Sequence, residues 1–293
     1  MQRSVATDAD RRLTGVKALV IDIDGVLKRG PHILPGALDL LSVLDQHAFP
    51  YRLLTNDPSI DRVAKIAELR SVGLPVSHGQ VISSADPLGD HVLGMQSRPR
   101  RVFAVSRDDA ADYLAPFDIT VDNRAGADQL DAVIFFDDDV RWDMARITHL
   151  FNLFLERPQL PWIVCNPDYV YPIGSGHFSP TTGAVVKWLV DLCALKDVAV
   201  SPTFLGKPFA PVFATTMKEL QRDDSTIEPQ DVLMLGDTPA SDIVGANRAG
   251  WRSCLVLTGN HRYGRTGSDA VPSCTFDDLP AFLVEFGRQS LPG

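Results

Sequence analysis

Asp22 and Asp24 stand two residues apart in the stretch Val16 to Leu27, VKALVIDIDGVL, where an apolar run breaks off at two acids and a glycine. Along a strand alternate side chains share a face, so both carboxylates are expected on one side while Ile23 points to the other. Gly25 lets the chain turn out of the sheet. Two like charges at the end of a buried strand repel and are costly to take out of water, which suggests that a cation or a shared proton offsets them. The plainer alternative is an acidic strand end with no task.

Other polar residues fall at comparable places. Thr55 and Asn56 follow the short apolar run from Phe49 to Leu54, and Lys207, in the triplet Gly206-Lys207-Pro208, follows Phe204 and Leu205. Gly236 and Asp237 follow the apolar run Val232 to Leu235, with Asp242 five residues further on. In a parallel sheet the carboxyl ends of the strands converge, and ligands bind at that edge. Three or four carboxylates with one lysine and one hydroxyl fit Mg²⁺, a hard cation that prefers oxygen ligands. A phosphoryl group is the natural guest, because its transfer needs an in-line nucleophile, cations around its oxygens and a proton for the leaving group. On this reading Asp22 is the nucleophile, forming an aspartyl phosphate, and Asp24 is the acid and base. Asp22, Asp237 and the backbone carbonyl of Asp24 hold the Mg²⁺, with Asp242 behind them. Lys207, Thr55 and Asn56 bind the phosphoryl group. Taken singly, a Gly-Lys-Pro is more often a turn and a Thr-Asn more often a helix cap; the order of all four carries the reading.

The elements needed to position these residues are legible as well. Val16, Ala18, Leu19, Val20 and Ile21 are too continuously apolar for a strand with one wet face and predict one buried on both sides. Leu38, Leu41 and Leu44 stand at helical spacing, Phe49 to Leu54 predicts a second strand, and Asp61 to Ser71 a helix closed by Gly73, which together make a βαβ unit. At 293 residues the chain has room for about two domains. Three further apolar runs, Val102 to Val105, Ala132 to Phe136 and Trp162 to Cys165, alternate with helical stretches and predict a second α/β domain over residues 85–199, inserted into a core made of 1–84 and 200–293. Asp137, Asp138 and Asp139 end the middle run, as a solvated strand end or a metal cluster. Trp251 to Thr258 is expected to be the last strand, before a terminal helix near Asp278 to Phe286.

Composition narrows the partners. A formal net charge of −9, with Lys and Arg scattered, argues against nucleic acid. No segment has the apolar length of a membrane helix, and the polar start MQRSVATDADRR has no secretory character, so a cytoplasmic protein is expected. Four cysteines without a CxxC pair indicate neither a zinc site nor a disulfide framework.

The order DxDGVL, TN, GKP, GDxxxxD resembles the four motifs of the haloacid dehalogenase (HAD) superfamily. An insert between the second and third motifs, the triplet Asn166-Pro167-Asp168 within it, and GVLKRGPHILPGA after the first motif resemble the NagD-like class IIA phosphatases, over most of the chain from about Val16 to about Asn260. The resemblance implies a Rossmannoid parallel-sheet core with an α/β cap, Mg²⁺-dependent hydrolysis of small phosphate monoesters, and the residue roles given above. It also implies that the cap sets specificity, with Asn166, Asp168, Tyr169, Tyr171 and His177 as candidates, and that a homodimer forms through the cap. Asn166 and Asp168 read equally as turn residues, and the tyrosines as cap core. Two positions depart from the usual pattern: Asp57, where relatives commonly carry Asn, and Ser241, where Thr is common. A phosphotransferase or mutase, and a silent scaffold associating through its cap, are the competing readings.

Overall fold

A computed structural model describes residues 13–58, 62–105, 110–137, 142–174, 177–260 and 268–290. The chain divides into two compact units, one of Met1–Thr55, Arg62–Ile82 and Phe213–Gly293, the other of Asn56–Asp61 and Ser83–Val212.

The first unit is built on a six-stranded sheet in the order Cys274–Phe276, Arg252–Val256, Val232–Gly236, Ala18–Asp22, Tyr51–Thr55, Val81–Ser83. The four pairings from Cys274–Phe276 across to Tyr51–Thr55 are all parallel. Every residue of Ala18–Asp22 is buried, as is every residue of the two strands beside it. Burial on both faces is why this sequence shows an unbroken apolar run in place of alternation. From Ala18–Asp22 the chain adds strands to one side, then returns to add Val232–Gly236 and its successors to the other, so the strand order reverses between these two neighbours. In open parallel sheets the crevice at such a reversal is where ligands bind.

Helices cover the sheet through regular apolar stripes. In Ala37–Gln46 the buried residues are Ala37, Leu40, Leu41 and Leu44, an i, i+3, i+4, i+7 set. Leu38, which the spacing argument grouped with Leu41 and Leu44, lies outside that stripe and is exposed. Asp278 caps Leu279–Gln289 by accepting from the Ala281 N–H, and Phe282 and Phe286 stack inside. The expectation that the last strand follows Trp251 is corrected by Cys274–Phe276, whose three residues, one of them buried, are too few to display a period.

The second unit has its own parallel sheet, ordered Thr203–Phe204, Trp162–Val164, Ala132–Phe135, Arg101–Val105, Thr120–Val121. Alternate residues feed two hydrophobic clusters: Phe103, Val105, Val133, Phe135, Trp162 and Val164 in one, Val102, Ala104, Ala132, Ile134 and Ile163 in the other. A separate antiparallel hairpin, Val170–Gly174 with His177–Pro180, stands apart from this sheet. Among the described residues no helix is long and apolar enough to cross a membrane.

Candidate active site

Three buried carboxylates meet at the reversal point of the first sheet. Asp22 is the last residue of its strand, Asp237 directly follows Val232–Gly236, and Asp242 lies in the helical turn Pro239–Ile243. One oxygen from each lies within 4.8 Å of the others. The three residues are 7%, 1% and 0% exposed.

Local backbone geometry holds each in place. The Asp242 Oδ2 accepts from the N–H groups of Asp237 (3.1 Å) and Thr238 (3.0 Å), so it ties the turn that carries it back to the strand end. Asp237 accepts from Thr238 Oγ1 (3.0 Å) through Oδ1 and from the Asn260 N–H through Oδ2. Glycines make room: a Cβ on Gly236 would come 2.3 Å from the Asp242 Cβ, and one on Gly25 or Gly259 would come 2.3 Å or 1.8 Å from the Asp237 Oδ2. Gly25 also has a φ of +95°, which side-chain-bearing residues rarely adopt. The loop Thr258-Gly259-Asn260 is therefore part of the site's wall, and Thr258 Oγ1 fastens it by donating to the Gly25 carbonyl (2.6 Å). Nothing in the sequence pattern marked this loop, since its contribution is a backbone N–H and an absent side chain.

Two carboxylates 4 Å apart repel by roughly 4 kcal/mol at an effective dielectric of about 20. Three of them, buried and presenting only oxygen, fit a hard divalent cation better than any nitrogen- or sulfur-seeking metal.

Asp24 is outside this trio. The strand stops at Asp22, so the two-residue alternation that would aim both carboxylates alike does not continue to Asp24. Its side chain is 46% exposed and its Oδ1 lies 2.8 Å from the Lys28 Nζ. The segment between them is closed on itself: Leu27 N–H donates to the Ile23 carbonyl (2.9 Å) and Gly25 N–H to the Lys28 carbonyl (2.7 Å). Burial alone would pull the Lys28 ammonium down, but Asp24 and then Glu68 outweigh it, and its pKa sits above the ordinary lysine value. Lys28 was not among the sequence candidates, although a lysine four residues after Asp24 at the end of an apolar pair was there to be noticed. Thr55, the last residue of its strand, is buried at 4% exposure.

In the second unit Asn56, Lys207, Asp168 and Asn166 form one hydrogen-bonded chain. The Asn56 amide donates to the Lys207 carbonyl (2.9 Å) and to the Asp168 Oδ1 (3.0 Å), and accepts from the Lys207 N–H (2.7 Å). An asparagine has two amide hydrogens, and both are used here, so its side chain holds the Lys207 backbone in register and has no hydrogen left for a ligand. Asn166 accepts from the Asp168 N–H (3.0 Å) and donates to Asp137 (3.2 Å). The turn-building role weighed for Asn166 and Asp168 is thus present, and Asp137 is tied into it. Asp138 and Asp139 lie outside the described residues. Tyr169 and Tyr171 are 54% and 45% exposed, which removes the cap-core reading, and His177 is exposed on the hairpin. Ser175 and Gly176, at the hairpin tip, lie outside the described residues. Asn56→Ala removes both of its bonds to the Lys207 backbone in a buried setting and should cost about 1–3 kcal/mol in denaturant unfolding.

Residues 19–120 match the family of haloacid dehalogenase-like hydrolases, and residues 204–281 match a second family of HAD-like hydrolases. An acid sugar phosphatase of Staphylococcus epidermidis is 24% identical over 273 residues, covering 93% of this chain and 98% of its own. Among solved structures, NagD from Escherichia coli K-12 superposes with a TM-score of 0.72 at 20% identity, over 90% of this chain and 97% of its own. A glycerol phosphate phosphatase from Mycobacterium tuberculosis, in complex with calcium, does so with a TM-score of 0.74 at 23% identity, over 92% of this chain and 76% of its own. With the parallel sheet and the buried carboxylates, these matches place the chain among the haloacid dehalogenase-like hydrolases. NagD is among the solved structures that share its fold.

Proposed function

We propose that this protein hydrolyses small phosphate monoesters, of the sugar or polyol phosphate kind, in a Mg²⁺-dependent reaction that passes through an aspartyl phosphate on Asp22. The observation that carries the proposal is the meeting of Asp22, Asp237 and Asp242 within 4.8 Å at the reversal of the parallel sheet. Asp22, Asp237 and Asp242 would hold the cation, which supplies positive charge against the phosphoryl oxygens. A carboxylate oxygen of Asp22 attacks phosphorus, forming a P–O bond as the bond to the ester oxygen breaks. Asp24 gives its proton to that departing oxygen. Asp24 then takes a proton from water as the water oxygen attacks phosphorus, releasing phosphate and restoring Asp22. Lys207 supplies a cation and Thr55 a hydroxyl for the phosphoryl group, roles that rest on the order of the motifs. The Asn56 side chain keeps the Lys207 backbone placed, which leaves its backbone N–H as the group it can offer the phosphoryl oxygens. The inserted α/β region acts as the cap, and the exposed Tyr169, Tyr171 and His177 are its candidates for substrate selection.

The test is release of inorganic phosphate from a panel of sugar phosphates, glycerol phosphate and p-nitrophenyl phosphate, in Mg²⁺ and in EDTA. Release that falls to background on chelation is expected. A folded protein that releases nothing from any ester in Mg²⁺ would rule the proposal out.

A further inference from the structure

Lys28 and Lys65 are the two lysines of the first unit that the fold buries among the described residues, at 6% and 3% exposure. Both serve one line of charges. Lys28 Nζ lies 2.8 Å from Asp24 Oδ1 and 3.5 Å from Glu68 Oε1, and Lys65 Nζ lies 2.8 Å from Glu68 Oε2. Glu68 and Lys65 share the helix Arg62–Ser71, so Asp24, which sits on a loop past its strand end, is anchored to a rigid element through Lys28. Burying an ammonium is unfavourable unless it is paired and hydrogen-bonded, and packing alone would be better served by an apolar residue. The arrangement uses one Asp24 oxygen for the ion pair and gives the loop a fixed carboxylate orientation. The Lys28 carbonyl adds to this by accepting from Gly25 N–H, whose own Cα packs beside Asp237.

We propose that Lys28, supported by Glu68 and Lys65, is a positioning residue for Asp24, and that its loss is felt on esters whose leaving oxygen needs a proton, alkyl phosphates, and much less on aryl phosphates. The inference rests on the phosphatase reading above. A sugar or polyol departs as a strongly basic alkoxide unless protonated as the P–O bond breaks, whereas p-nitrophenolate departs as a stable anion. Fixed placement of the proton donor thus matters for the first and little for the second.

The experiment compares kcat and KM for glycerol phosphate and p-nitrophenyl phosphate in wild type, Lys28→Met, Glu68→Gln and Asp22→Asn. Lys28→Met is expected to lower kcat on glycerol phosphate roughly tenfold, a fraction of the 10²–10⁴ that a general acid supplies, with about a twofold loss on p-nitrophenyl phosphate and KM held within about twofold on both. Glu68→Gln, which keeps the side chain's size while removing its charge, should show the same split to a smaller degree, and it stands in if Lys28→Met does not fold. Equal losses on the two esters, or no loss on glycerol phosphate in a folded variant, overturn the positioning role. Turnover retained by Asp22→Asn overturns the phosphatase mechanism itself, so the two failures are separable.

Discussion

Asp22→Asn is expected to remove phosphate release almost completely, by a factor on the order of 10⁴ or more in kcat, because the substitution takes away the atom that attacks phosphorus and nothing nearby replaces it. The same change has an opposite sign in stability. Without a cation, Asp22, Asp237 and Asp242 are three buried like charges within 4.8 Å, and neutralising one relieves repulsion. The variant should therefore melt at the same temperature as wild type or higher in EDTA, while the rise in Tm that Mg²⁺ produces in wild type should shrink or vanish. Differential scanning calorimetry with and without Mg²⁺ reads this independently of turnover. A variant that is dead, less stable in EDTA and still strongly stabilised by Mg²⁺ would mean that Asp22 is not part of the cation site.

Gly259→Ala should be nearly as damaging, though it changes no functional group. Its Cβ would lie 1.8 Å from the Asp237 Oδ2 and 3.0 Å from the Gly25 Cα, so either Asp237 or the loop must move. Movement of Asp237 breaks its contact with the Asn260 N–H and spoils one of three cation ligands. Misplacement of about 1 Å, together with a lost supporting contact, predicts roughly a 10²-fold loss in kcat/KM and a 10–100-fold loss in Mg²⁺ affinity. Gly287→Ala is the control. Nothing lies within 4 Å of its Cβ and it sits in the helix Leu279–Gln289, so it should leave activity alone and raise stability by about 0.5–1 kcal/mol. Equal kinetics for Gly259→Ala and wild type would show that the loop does not wall the site.

What the sequence made legible follows from how each residue works. Asp22 and Asp237 carry charged side chains placed just after buried apolar runs, with Asp242 five residues on, and both the charge and the run are visible in one dimension. The parallel core was readable for the same reason, since strands buried on both faces cannot alternate. Asp24 lies outside the buried trio because period-two reasoning holds only while the strand lasts, and pairing ends at Asp22 opposite Leu54. Asn56 looked like a ligand by residue type, yet its hydrogens go to partners 112 and 151 residues away, distances at which sequence pattern is blind. Gly259 and Asn260 contribute space and a backbone N–H, which any sequence offers at every turn. Lys28 lay in plain view, but its burial and its link to Glu68 come only from packing.

The order of the strands also governs how the chain reaches this structure. Lys17, at the start of the central strand, bonds to Asp231, 214 residues later, and Ala18–Asp22 pairs along its length with Val232–Gly236. At about 5–20 residues per second on a ribosome, the wait between those two strands is on the order of 10–40 s. The stretch Ser83–Val212, by contrast, carries its entire sheet in one continuous piece and can fold as soon as it emerges. Through that interval the strand Ala18–Asp22, buried along its whole length in the folded protein, has one flank without its partner, which leaves it open to aggregation. Asp22 is made early, and the two carboxylates it meets, Asp237 and Asp242, are made long after.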